Sequence, residues 1–148
     1  MRKLFVYYSY SGNGDEVATC LKEKEYEIQK VKTSKPLPKN YALGIIVGGF
    51  KAGIHYQDPL VDFYSDVTLY DEIVIGSPIW NARFSSPINT VLEKLNLTNK
   101  NLTFVLYSGS GKSPKATQKI HENYPNAKII DLQEPKKNKE ELKKLEEL

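Results

Sequence analysis

Apolar and polar positions fall into a repeating pattern along this chain. Short, almost wholly apolar runs are each followed by a stretch with helical spacing. Residues 3–9, built on Leu4-Phe5-Val6-Tyr7, read as a first strand. Val17, Ala18 and Leu21 then mark a helix over roughly 14–24. Residues 26–31 are a second strand, short and more polar, as an edge strand would be. Thr33 to Asn40, with Pro36 and Pro38, is a loop. The stretch 41–53 is ambiguous. Its β-branched residues favour a strand, and Gly48-Gly49 disfavour a long helix. Parallel strands, however, need a crossover of a dozen or more residues, and the next strand starts only near Asp71. The stretch is therefore predicted to be a glycine-rich helix, able to pack closely on the sheet or on a ligand.

Tyr70 to Gly76 is nearly all apolar after its two acids, as expected of a central parallel strand. Residues 77–84 follow as a loop at its carboxyl end. Ser86-Pro87 opens a helix, with Ser86 as N-cap and Pro87 at the first helical position. Ile88, Val91, Leu92 and Leu95 form its stripe. Residues 102–107 are the next strand, and Ser113-Pro114 repeats the helix start, with Ala116, Ile120 and Tyr124 facing inward. Residues 127–132 are a last, short strand. Asn138 with Glu141 resembles a capping box before a closing helix that turns Leu142, Leu145 and Leu148 inward. The order β-α-β-(α)-β-α-β-α-β-α predicts one α/β domain over residues 1–148, an open five-stranded parallel sheet with helices on both faces. Ligands of such sheets sit beyond the carboxyl ends of the strands. The loops 9–14, 77–84 and 108–112 all follow strands and so share that edge.

Composition changes this picture little. A chain of 148 residues, 40% hydrophobic and 26% charged, has an ordinary globular balance. The net charge of +3, from 21 basic and 18 acidic residues, is mild. Its excess is interleaved with acids, so a solvated face is expected rather than a nucleic-acid site. One cysteine, Cys20, cannot form an internal disulfide and suits a reducing compartment. It falls among apolar residues of the first helix and reads as structural. No membrane span or signal peptide is expected, and the expected location is cytoplasmic.

The candidate chemistry lies in the three loops. Ser9-Tyr10-Ser11-Gly12-Asn13-Gly14 turns a buried strand into a helix. Gly12 and Gly14 let backbone N–H groups approach a ligand closely. Such a nest at a helix N-terminus, beside serine hydroxyls, is an anion site, most often for phosphate. As a plain turn it would use Asn13 or Asp15 as N-cap. The loop contains no Lys or Arg, so neutral donors are expected to hold the anion. The second loop supplies Trp80, expected as an exposed flat apolar surface. The third supplies glycine N–H groups beside Tyr107 and Ser108. Phosphate at one end and an aromatic platform at the other suit a phosphorylated ligand with a flat ring.

Other readings of these residues fail on spacing. Gly111-Lys112-Ser113 resembles the end of a Walker A loop, but Leu106 stands where its first Gly is needed. The dinucleotide G-x-G-x-x-G is broken at Val17. A phosphoacceptor receiver domain needs an acidic pair where Tyr7 and Tyr8 sit. His55, His121 and Cys20 are too isolated for a metal site. Asp58 and Asp62 read as a helix surface rather than an acid/base pair.

Taken together, the three loops resemble those of the flavodoxin family, in order and over nearly the whole chain. Ser9 to Gly14 is similar to the family's phosphate motif, Ser/Thr-x-Thr/Ser-Gly-Asn-Thr. Ile75-Gly76-Ser77-Pro78-Ile79-Trp80 and Tyr107-Ser108-Gly109-Ser110-Gly111 resemble its two flavin loops. The resemblance implies strand order 2-1-3-4-5 and FMN as cofactor. It implies that Ser9, Ser11, Gly12, Asn13 and Gly14 hold the phosphate. Pro78 and Asn81 would line the ribityl chain, and Trp80 would stack on the ring. Ser108, Gly109 and Gly111 would donate to its pyrimidine edge. Tyr10, Ser77, Ile79 and Ser110 complete the expected site. Two departures stand out: Gly14 replaces the family's Thr, and the positive charge contrasts with the acidic balance of many flavodoxins. The role expected is an electron shuttle serving a redox partner protein. The alternative is an NAD(P)H-dependent FMN reductase acting on quinones or other small acceptors.

Overall fold

The computed structural model describes residues 1–148. Five strands carry the sheet: β1 (Lys3–Tyr7), β2 (Glu27–Lys30), β3 (Glu72–Trp80), β4 (Asn101–Ser108) and β5 (Lys128–Gln133). They pair in parallel in the spatial order 2-1-3-4-5, as the sequence predicts. The helices are α1 (Asn13–Glu23), α2 (Tyr41–Gly53), α3 (Ser86–Lys94) and α4 (Pro114–Asn123). The chain closes on a 3₁₀ helix, Lys139–Glu147. No helix is long and apolar enough to cross a membrane.

Alternation along the central strands splits the core between the two sheet faces. Leu4, Val6, Ile73, Ile75, Phe104 and Leu106 pack with Ile88 and Val91 of α3 and Ala116 and Ile120 of α4. Phe5, Tyr7, Val74, Val105 and Tyr107 pack with Val17, Ala18 and Leu21 of α1 and with Leu145. Leu142, Leu148 and the half-buried Cys20 border that second cluster.

Several local expectations are corrected. β3 does not end at residue 76; it runs to Trp80 and turns back, pairing with Arg83–Phe84 through Asn81 and Ala82 at positive φ. Residues 77–84 are thus a hairpin, which satisfies backbone groups that a loose loop would leave open. The N-cap of α3 is Ser85, not Ser86, and Pro87 remains in the first turn. Neither Ser-Pro start forms a side-chain cap to the helix N–H groups: the Ser86 hydroxyl donates to Asp58, Ser85 Oγ lies 3.0 Å from Ser77 Oγ, and Ser113 Oγ donates to Asp131 at 2.6 Å. Asn138 forms no side-chain cap. Glu141, its expected capping-box partner, instead accepts from the Gln133 N–H at 2.7 Å. Lys32–Thr33 and Leu60–Val61 add a small antiparallel pair that the sequence reading did not assign.

Asp58 is also misread from sequence. It lies on no helix and is buried, held by Lys51 Nζ at 3.0 Å and by the Ser86 hydroxyl. Thr90 Oγ1 donates to the Asp58 carbonyl at 2.6 Å, so the segment after α2 is fastened to α3. Asp62 is exposed in a left-handed conformation.

The ambiguous stretch 41–53 is a helix, α2, capped by Asn40, whose side chain accepts from the Leu43 N–H at 3.1 Å. Two of its glycines allow the close packing the sequence suggested. Gly44 lies against Tyr10, and Gly48 against the Trp80 ring, where an added Cβ would stand 2.6 Å from ring carbons. Gly49 meets nothing. Gly48→Ala is therefore expected to lose about 1–3 kcal/mol through overpacking. Gly49→Ala should gain about 0.4–1 kcal/mol from helix propensity. Urea unfolding of both variants checks this opposite response.

Candidate functional site

The three loops meet at the carboxyl edge of the sheet because β1, β3 and β4 are parallel neighbours. The Tyr8 N–H donates to the Gly76 carbonyl at 3.2 Å, joining loop one to β3. The buried Tyr107 hydroxyl, from the end of β4, donates to the Tyr8 carbonyl and braces loop one from the other side.

Loop one forms a backbone nest. Gly12 takes φ +99° and is the N-cap of α1, replacing the expected Asn13 or Asp15. Ser9 Oγ lies beneath and accepts from the N–H groups of Gly12 at 3.2 Å and Gly14 at 3.1 Å. The N–H groups of Ser11, Asn13 and Asp15 have no acceptor within the protein. The Asn13 amide Nδ2 donates to Ser11 Oγ at 3.4 Å. Gly14 is buried where a Cβ would stand 2.5 Å from the Tyr107 hydroxyl and 2.7 Å from the Tyr7 ring. The absent threonine is thus explained by packing: the space its side chain would need is filled by two tyrosines. Asp15 is engaged sideways, accepting from Tyr7 at 2.7 Å and from Lys30 at 2.8 Å.

A cation reaches this loop from far along the chain. The turn after β5 places Lys136 on loop one. Its N–H donates to Asn13 Oδ1 at 3.1 Å, and its ammonium donates to the Ser11 carbonyl at 3.3 Å. The expectation that only neutral groups surround the nest is therefore corrected.

Loop two is mostly structural. Ser77 is fully buried and its hydroxyl accepts from the Ser85 N–H at 3.1 Å, so the hydroxyl is occupied inside the fold. Pro78 is buried, Ile79 is half-buried and Asn81 is exposed at the hairpin tip. Trp80 is not the exposed platform expected from sequence; 8% of it is accessible. Gly48 covers its ring, and Tyr8 and Tyr10 meet it edge-on at 6.1 and 6.0 Å. Contact with a flat ligand face there would require α2 to shift. Tyr10 itself is half-buried and stacks on Tyr41 at 6.0 Å.

Loop three stays open. Gly109 and Ser110 are exposed, and a Cβ on Gly109 would meet no atom. Gly111 takes φ +73°, and its N–H donates to Ser108 Oγ at 2.9 Å. Neither 77–84 nor 108–113 contains a carboxylate; Arg83 and Lys112 are their charged residues.

Comparison with known proteins agrees with the fold. The family model described as flavodoxin matches residues 49–147, and the chain belongs to that family. The match takes in loops two and three and stops short of loop one. No curated protein matches the chain. Among solved structures, two Bacteroides proteins provisionally described as flavoproteins share the fold. The one from Bacteroides eggerthii has a TM-score of 0.75 at 20% identity, over 90% of this chain and 88% of that one. The one from Bacteroides uniformis has 0.73 at 21%, over 96% and 97%. A flavoprotein of Lactobacillus acidophilus, solved in complex with FMN, has 0.71 at 19%, over 94% and 97%.

The phenols behind the loops predict an alkaline limit. Burial, with Asp58 and Tyr10 nearby, pushes Tyr8 up to about 12. Burial first, and then the bond to Asp15, raises Tyr7; burial raises Tyr107. Unfolded tyrosines ionise near 10. The stability these groups contribute is intact below pH 10 and falls as pH rises through 10 towards their folded values, by about 1.4 kcal/mol per pH unit for each. Urea midpoints should hold up to pH 9 and drop between pH 10 and 12, less steeply in Tyr8→Phe.

Proposed function

We propose that this chain binds one FMN at the carboxyl edge of its sheet and carries electrons between partner proteins. The observation that supports this most is the convergence of an open N–H nest and an open glycine loop on one edge of a flavodoxin-family fold. The residues present fit the cofactor's phosphate: three N–H groups without acceptors surround Gly12, where a positive φ turns the backbone into a concave cradle. Ser9 orients the nest by holding two of its members from below, and Ser11 and Asn13 offer polar side chains at its rim. Pro78, Ile79 and Asn81 would border the ribityl chain. The N–H groups of Gly109 and Ser110 would meet the polar edge of the ring. Trp80, from beneath α2, would support the ring's surroundings by packing.

FMN, when bound, supplies one- and two-electron redox chemistry; the protein sets its potential through packing and nearby charge. The lack of carboxylates in loops two and three removes a source of repulsion towards a negatively charged reduced ring. The low potential should therefore be less negative than in acidic flavodoxins. Arg83 and Lys112 make this rim cationic, which suits a redox partner with an acidic docking surface and a rate that falls with salt.

Titrating the apo-protein with FMN and with riboflavin tests the cofactor reading. FMN should bind at least tenfold more tightly if charge-assisted bonds of about 1.5–3 kcal/mol reach the phosphate. Equal affinities would refute it. Stopped-flow mixing of the FMN-loaded protein with NADH or NADPH tests the role. A shuttle should bleach slowly, because loops two and three offer no second nucleotide cradle to align a hydride donor. Rapid bleaching followed by turnover with a quinone would replace the shuttle by the reductase.

A further inference from the structure

Most lysines of the segment after β5 have a carboxylate within reach: Lys137 with Glu134 at 3.5 Å, Lys139 with Glu16 at 2.5 Å and Lys144 with Glu141 at 3.0 Å. Lys136 has none. Its backbone is nevertheless fixed. Glu134, at φ 42°, donates its N–H to the Ser108 carbonyl at 3.0 Å, and the N–H groups of Lys137 and Asn138 return to the Glu134 carbonyl at 2.9 Å. Pro135 is buried at the turn. The Lys136 N–H is held by Asn13, and its side chain lies across Gly12, where an added Cβ would stand 3.0 Å from Nζ and 3.1 Å from Cδ. An exposed lysine laid along a glycine, with its ammonium on one neutral carbonyl, keeps two donors free.

We propose that Lys136 is a phosphate-binding residue of this chain, an ammonium clamp that reaches over Gly12 to the phosphate dianion of FMN. The inference rests on the cofactor reading above and names the residue that would discriminate the phosphorylated flavin from the unphosphorylated one. Lys136 supplies the formal charge that loop one lacks. It also compensates for Gly14, where the tyrosines behind the loop leave no room for a threonine hydroxyl. Asn13 serves both sides, because its side-chain Oδ1 accepts from the clamp's backbone N–H while its own backbone N–H belongs to the nest. Since the ammonium is exposed and unpaired, the dianion gains a charge partner without breaking an ion pair.

Dissociation constants of FMN and of riboflavin, read from flavin fluorescence, test this in the full chain with Lys136→Gln, Lys136→Arg and the neighbouring control Lys137→Gln. Lys136→Gln keeps the backbone bond to Asn13 and should unfold at the wild-type temperature. It should weaken FMN about tenfold or more, the effect of losing one charge-assisted bond, and leave riboflavin within about twofold. Lys136→Arg should recover most of the loss, Lys137→Gln should match wild type, and the salt dependence of FMN binding should flatten in Lys136→Gln alone. If wild type prefers FMN and Lys136→Gln keeps that preference, or loses FMN and riboflavin equally, the clamp is overturned while the cofactor reading stands. If wild type does not distinguish the two flavins, both are overturned.

Discussion

Three strands, β1, β3 and β4, run side by side in the same direction through the middle of the molecule, and every special feature depends on that pairing. Register places Tyr7 opposite Gly76 and Pro78 opposite Tyr107, so the chain leaves the sheet three times on one edge. Antiparallel neighbours would have sent alternate loops to opposite edges. The bond from Tyr107 to the Tyr8 carbonyl then converts proximity into a fixed spacing between the first and third loops. Because Tyr107 and Tyr7 fill the space beneath Gly14, the same packing that braces the nest also decides which residue can stand in it.

The order of elements was legible in the sequence, since apolar blocks and crossover lengths leave few arrangements for a parallel sheet. Even the helix over 41–53 followed from that geometry against its local composition. What sequence reasoning missed was decided by side-chain partners. Ser86 and Ser113 look like ordinary caps, but carboxylates brought near by the fold, Asp58 and Asp131, take their hydroxyls. Trp80 looks like a loop residue until β3 is seen to continue into a hairpin under α2. Asp58 looks solvated until Lys51 and Ser86 are found around it.

The nest was readable in outline, because glycine, serine and asparagine between a strand and a helix have few other uses. Its cation was not, because Lys136 stands far along the chain in a run of similar lysines. A topological signal did exist: the 134–138 turn also follows a parallel strand, β5, and so must emerge on the same edge. Among the lysines of that segment, Lys136, next to a buried proline, is the one whose N–H is held by loop one.

The carboxyl edge is proposed here as a flavin site built from loops one, two and three. Amide chemical shifts of the ¹⁵N-labelled apo-protein on FMN addition test it most directly. Perturbations should concentrate in residues 9–14, 79–82, 108–111 and 134–138, with the largest downfield shifts at the N–H groups of Ser11, Asn13 and Asp15 as they gain an anionic acceptor. Shifts that cluster elsewhere, or a spectrum unchanged by excess FMN, would contradict a flavin site at this edge.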